Sequence, residues 1–451
     1  MSSLVSVPHP PPSAPRRALR LVSPACLALR KVRRTLALSA GEGMAAEVVG
    51  ACAGSAVLTA WALALGAGPV WLGLLGALPF LSQLIHLPSA WITSRLGRRR
   101  TAILAVTASR QTLLLLAPLP WLPVRPEQRL LVLLAVAGAS SALGVVGNNA
   151  WTAWMGDLVP ARLRGRYFGR RTALCAVAGM VSSLGAGLAL DRSGRIAPSG
   201  VALAGLALAA SAAGAVTTWL MVKQHEPAPA HGFASPRLGD ALRPLRDPAA
   251  RSALAFIAAW NAAIGISGTF FSVHLLGNLK LGYTLVALLS AGAAVARILS
   301  VPLWGRALDR VGARPVLATC TFGLAAAPIL WILPTEACPW PIAFDALLSG
   351  TLLAGHALAS FALPLSLAPR SERPFYLATF SATGGLAYAL ASAAGGALAS
   401  ALPATFVLWG HPSHGLHLLF VISAVGRLGS GWLALRIREP GARTRRGSPV
   451  A

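Results

Sequence analysis

Charge is scarce in this chain, and acid is scarcer still. Only 12% of its 451 residues are charged, with 13 acidic against 39 basic. A soluble domain carries about twice that charged fraction. Also absent are a Gly-rich phosphate loop ending in Lys-Ser or Lys-Thr, a His/Cys/Asp cluster at metal-ligand spacing and a nucleophile elbow. Their absence argues against an enzyme and against a nucleotide-driven pump, and no cofactor or metal is expected. The five cysteines, Cys26, Cys52, Cys175, Cys320 and Cys338, stand singly and mostly in or beside apolar runs. A disulfide framework is therefore not expected. The first 40 residues hold Pro-rich and Arg-rich pieces but no apolar core followed by a small-residue cleavage site, so no signal peptide is read there.

Apolar runs fill the space left by charge. Hydrophobic residues make up 55% of the chain, and the mean hydropathy is +0.65. The runs are about 20 residues long, enough to cross a hydrocarbon core of roughly 30 Å. Ala, Gly and Leu dominate them, as suits helices packed closely in lipid. The fold class this implies is an all-α integral membrane protein with about twelve transmembrane helices, which the internal repeat described below divides into two pseudo-symmetric six-helix bundles. The expected spans are 44–66, 68–93, 101–121, 130–153, 172–190, 199–222, 252–275, 282–304, 315–333, 341–364, 378–402 and 414–436. They divide the chain into a basic tail 1–43, a first bundle 44–222, a linker 223–251, a second bundle 252–437 and a basic tail 438–451.

A net charge of +26 would by itself suggest nucleic acid. The distribution argues otherwise, because the basic residues fall in alternate gaps between the apolar runs. By these span limits about 31 lie on the side of the termini and 5 on the other, which is the positive-inside pattern. Both termini are expected in the cytosol, with the chain in a bacterial-type inner membrane and no nucleic-acid partner. The linker holds Glu226-Pro227-Ala228-Pro229 and scattered charge, which suits a connector and not a span.

Three landmarks recur at offsets of about 209–215 residues. The turn Gly305, Asp309, Arg310, Gly312, Arg314 answers Arg95, Gly97, Arg98. Leu158-Val159-Pro160 with Arg164 and Tyr167 answers Leu367-Ala368-Pro369 with Arg373 and Tyr376. Trp219 with Glu226-Pro227 answers Trp432 with Glu439-Pro440. The turn after the eighth span, its twin after the second, and the segment Arg164-Gly165-Arg166 after the fourth resemble the loop signatures of the major facilitator superfamily over about residues 36–440. Ser94 and Ala90 depart from that signature in the first half, where an acid and a glycine stand in the family pattern. The resemblance implies two bundles rocking about a central site, with the first, fourth, seventh and tenth spans lining the pathway. It also implies a gating role for Asp309, which on electrostatic grounds suits a helix-end acceptor near Arg170 and Arg171.

Polar residues inside the spans are few, so each is informative. Asn261, Trp260, His356, Asn148 and Asn149 are pathway candidates, with interhelical hydrogen bonding the alternative for the amides and the histidine. Arg110 and Gln111 fall near mid-depth of the third span, where Arg110 suits either an anionic solute or a helix acid. Glu47, His86 and Asp345 are the candidates for coupling to a proton or other ion. Arg297 and Arg427, late in their spans, are expected to snorkel to the surface. The composition of the pathway favours a moderately apolar or weakly polar solute. A transporter of a small solute by alternating access is expected, a monomer in the bilayer, with efflux ahead of metabolite uptake. The alternative from another class is a receptor-like, lipid-handling or assembly factor on the same scaffold.

Overall fold

The structure is a computed structural model describing residues 24–159, 164–194, 199–226, 243–335, 338–367, 373–403, 405–408 and 411–437. Among the described residues eleven helices are long and apolar enough to cross a membrane. A shorter apolar helix, Pro69–Ile85, continues into His86–Leu96 and supplies the twelfth span. A two-stranded hairpin, β1 (Thr405–Leu408) against β2 (His411–His414), joins the last two spans.

The first span departs from expectation. It runs Arg33–Ala64 and so begins at Arg33, not at residue 44. Arg33, Arg34, Thr35, Ser39, Glu42 and the glycines Gly41 and Gly43 depress the hydropathy of this stretch. That dilution made it read as tail, yet it forms the continuous helix Pro24–Ala53. The second span is broken for a plain reason. Pro79 and Pro88 remove backbone donors, and the helix tightens into a 3₁₀ turn over Ser82–Ile85 between Pro69–Leu81 and His86–Leu96.

The internal repeat is visible in backbone geometry. Gly97 joins the second and third spans with φ 83° and ψ 151°, and Gly312 joins the eighth and ninth with φ 89° and ψ 174°. This region is essentially closed to other residues. The second landmark also repeats. The Tyr167 hydroxyl donates to Leu36 O near the start of the first span, and the Tyr376 hydroxyl donates to Asp247 just before the seventh. The third leaves Trp219 and Trp432 exposed at the ends of the sixth and twelfth spans, the usual position of interfacial aromatics.

The two halves meet chiefly through the second span against the eleventh and the fifth against the eighth. Small residues permit this approach. A Cβ at Gly73 would fall 2.5 Å from Ser392 O, and one at Gly187 2.9 Å from Tyr283 O. Ser392 Oγ donates to Gly73 O across 2.8 Å. The Asp191 carboxylate accepts from the backbone N–H groups of Tyr283 and Thr284 at 2.7 and 2.9 Å, capping the start of the eighth span with charge. These joints lie toward the far face, away from the termini.

Candidate functional site

A cavity of about 390 Å³ lies between the halves. The first span breaks beside it. Its helix ends at Ala53, Gly54 is extended (φ −78°, ψ −176°), and a second helix starts at Ser55. A helix that restarts inside a membrane leaves its first N–H groups without intrahelical acceptors. Such irregular backbone is tolerated where it lines a cavity. Thr59, Ser141, Thr269, Ser272 and Tyr388 add hydroxyls to Ser55, and Leu58, Leu75, Pro79 and Phe80 supply apolar wall. Tyr388 stacks on Phe80 across the halves with centroids 3.4 Å apart. No charged side chain is among the described lining residues.

Pro79 and Ser141 also line a second cavity of about 330 Å³, nearer the termini, with Gln83, His86 and Asn148. His86 Nε2 meets Gln83 Oε1, and Asn149 donates to Ser89 Oγ. The structure thus brings His86 and Asn148 together in one space, while Asn149 ties the fourth span to the second.

Arg110 and Gln111 lie elsewhere, in the interior of the first half. Gln111 Nε2 donates to Ser211 O and its Oε1 accepts from Ser211 Oγ, clamping the third span to the sixth. Arg110 pairs with Glu42 at 3.5 Å, and Glu42 also accepts from Arg171 at 3.2 Å. Arg171 in addition donates to Ser39 O and lies over the Trp151 ring. The acid that Arg110 requires is Glu42, which the expected start at residue 44 left outside the span. Glu47 is exposed, its Oε2 3.0 Å from the position of a Cβ at Gly179.

In the second half, His356 stacks on Trp260 with centroids 4.4 Å apart. Arg427 sits 5.8 Å from the same ring and donates to Leu324 O. Arg427 is only 7% exposed, so the expected snorkelling does not occur. His356 Nε2 and Arg427 Nε are both buried without a hydrogen-bond partner among the described residues. Asn261 donates to Ile257 O on its own helix and approaches Gly384 of the eleventh span. Asp345 accepts from Trp331 Nε1 and Ser349 Oγ, both at 2.7 Å. None of Trp260, His356, Asn261 or Asp345 lines the inter-half cavity.

The basic turns are asymmetric. Arg98 is buried and pairs with Glu226 at 3.8 Å, while Arg95 covers the Trp91 ring. In the second half Asp309, Arg310 and Arg314 are exposed and Gly305 is half-buried. Among the described residues no ion pair joins Asp309 to Arg170 or Arg171. Arg164, Gly165 and Arg166 open the helix of the fifth span and Arg373 that of the eleventh. Their side chains lie outside the described residues. The break at Gly54 and the hydroxyls around it escaped notice in the sequence, although Gly50, Gly54 and Ser55 in one short stretch are a visible signal.

Residues 253–450 match the family model described as Major Facilitator Superfamily. That match covers the second half of the chain. The whole architecture is similar to the nucleoside transporter NupG, with a TM-score of 0.67 and 12% identity over 90% of this chain and 98% of that one. It is similar to a D-xylose-proton symporter at 0.66 and 14%, over 90% and 98%. A bacterial homologue of the human lysosomal transporter Spinster, inward-facing and unoccupied, gives 0.61 and 16% over 94% and 99%. No curated protein matches the chain by sequence. The solved structures it resembles are membrane transporters.

Proposed function

We propose that the cavity beside the Gly54 break is the solute site of an alternating-access transporter. The supporting observation is its wall: hydroxyls from both halves set among apolar side chains, without a fixed charge. A pocket of that kind selects a neutral or weakly polar solute that offers apolar surface and a few hydrogen-bonding groups. The second cavity, past Gln83, His86 and Asn148, is its route to the face of the termini. We place that face in the cytosol on the charge asymmetry of the loops. Packing toward the far face then makes this an inward-directed state. Asp309 and its basic neighbours act in the opposite state, when that face closes.

Efflux is the favoured direction, because an uncharged wall suits apolar compounds. Uptake of a neutral, hydroxyl-bearing metabolite is the second reading, favoured by the count of lining hydroxyls and by the nucleoside and xylose carriers among the similar folds. Coupling, if to protons, falls to His86 on the route or to Glu47 at the edge of the first span. Arg110 and Gln111 hold the first half together. Trp260, His356 and Asn261 act from the second half on the helices that carry Ser272 and Tyr388. The experiment is flux into and out of proteoliposomes with solutes chosen by thermal stabilisation. Saturable flux abolished by filling the cavity supports the reading. Flux that is indifferent to filling it rejects this site.

A further inference from the structure

A groove of about 500 Å³ runs down the outside of the first half, where the first and fifth spans meet near the terminal face. Its two walls are helix stripes. Arg33, Leu36, Ala37, Ala40, Gly41 and Met44 recur at three- and four-residue steps along one face of the first span. Tyr167, Arg170, Arg171 and Leu174 do the same on the fifth. The polarity is graded along the groove. The cations and the tyrosine stand toward the helix starts. Met44 and Leu174, farther into the span, are exposed hydrophobics at 37% and 38%. At 1.5 Å per residue Arg33 and Met44 are about 16 Å apart along the helix.

Among the described residues most of this charge is not spent. Arg171 is held by Glu42 and Ser39. Arg33 and Arg170 are exposed, and no ion pair to another described residue holds either. Two guanidinium groups without an ion pair among the described residues therefore crown an apolar trough on the outer face of the helices. We propose that this groove is a binding site for an anionic phospholipid, its phosphate between Arg33 and Arg170 and one acyl chain along Ala37, Ala40, Met44 and Leu174. The chemistry fits at both ends, since guanidinium forks bind phosphate oxygens and basic pockets between helices bind acidic head groups. A bound lipid would brace the first span against the fifth next to the Glu42–Arg171 pair. The inference needs only the membrane fold, not the transport reading.

The test is thermal unfolding of the full-length protein in neutral detergent. Phosphatidylglycerol, phosphatidylethanolamine or inorganic phosphate is titrated into wild type, an Arg33→Gln/Arg170→Gln double variant and a charge-matched Arg251→Gln/Arg436→Gln control. Phosphatidylglycerol should stabilise wild type and control saturably, with affinity for the groove variant weaker by roughly thirtyfold, from about 1 kcal/mol per basic side chain. The Arg33→Lys/Arg170→Lys variant should retain most of the binding. Three results would each overturn the proposal: equal stabilisation by phosphatidylethanolamine, protection by inorganic phosphate alone, or an unchanged lipid affinity in the groove variant. The readout is lipid binding and not flux, so failure here leaves the solute site untouched.

Discussion

Arg171 of the fifth span donates to Glu42 of the first across 3.2 Å, about 14 Å along the helix from Arg33. Arg110 of the third span reaches the same carboxylate. One acid thus ties three helices, in a setting where a lone charge is costly. Removing one partner of a buried pair typically costs about 3–5 kcal/mol, because the remaining charge stays uncompensated. Glu42→Ala is expected to destabilise by that amount, more than Arg110→Ala. The Glu42→Ala/Arg110→Ala pair should fall well short of the sum. Thermal unfolding of the four proteins in detergent closes the cycle.

Gly97 and Gly312 occupy the same backbone region at repeat-equivalent turns. Either glycine replaced by alanine should lose about 1–3 kcal/mol, from the cost of holding a side chain there. Gly305→Ala, within the helix that ends at Gly312, with nothing within 4 Å of an added Cβ, should be neutral or slightly stabilising. Unfolding temperatures of the three variants check this.

The twelve spans and the repeat were legible because both are written locally. Apolar runs and their basic, glycine-bearing gaps need no tertiary knowledge, and Gly97 and Gly312 take the same strained conformation because only glycine accepts it. What was not legible depends on neighbours from distant sequence. Glu42 looked like tail because arginines and glycines surround it, and only Arg110 and Arg171 make it a membrane residue. Arg427 looked close enough to a helix end to reach water, yet Trp260 and the Leu324 carbonyl hold it inside. Asn261 and His356 sit on the expected spans, but helix rotation decides which face meets the cavity, and the Ala/Leu-rich pattern leaves rotation undetermined.

Asp191 joins the halves at the far face through two backbone N–H groups. Asp191→Ala should loosen that seal and shift the population toward a state open there. The check is labelling of Ser272→Cys by a membrane-impermeant thiol reagent, in a background lacking Cys338, which is itself exposed. Labelling should rise several-fold over the same protein with Asp191 intact. An unchanged rate would mean that Ser392–Gly73 and the packed glycines hold the seal alone.

His356 Nε2 is buried without a hydrogen-bond partner while the ring stacks on Trp260. Leaving a buried polar atom unpaired is costly, and the one side-chain hydrogen bond that an apolar ring would forfeit, between Nδ1 and Ser360 Oγ, is long at 3.3 Å, so the gain offsets the loss. His356→Phe is expected to unfold at or slightly above the wild-type temperature and to keep solute affinity. A marked loss of affinity at unchanged stability would instead make the imidazole part of the solute site.

The central claim is that solute binds in the cavity between the halves. The most direct measurement is a thermal-shift screen of drugs, sugars, nucleosides, amino acids and organic anions on wild type and on Ser272→Trp, whose indole would fill much of the 390 Å³. Stabilisation follows about RT ln(1 + [L]/Kd), so a ligand at one hundred times its Kd should add roughly 2.7 kcal/mol. The account predicts neutral or weakly polar hits on wild type that vanish in Ser272→Trp, with both proteins folded. Hits that persist undiminished in the filled variant, or a flat screen on folded wild type, would contradict it.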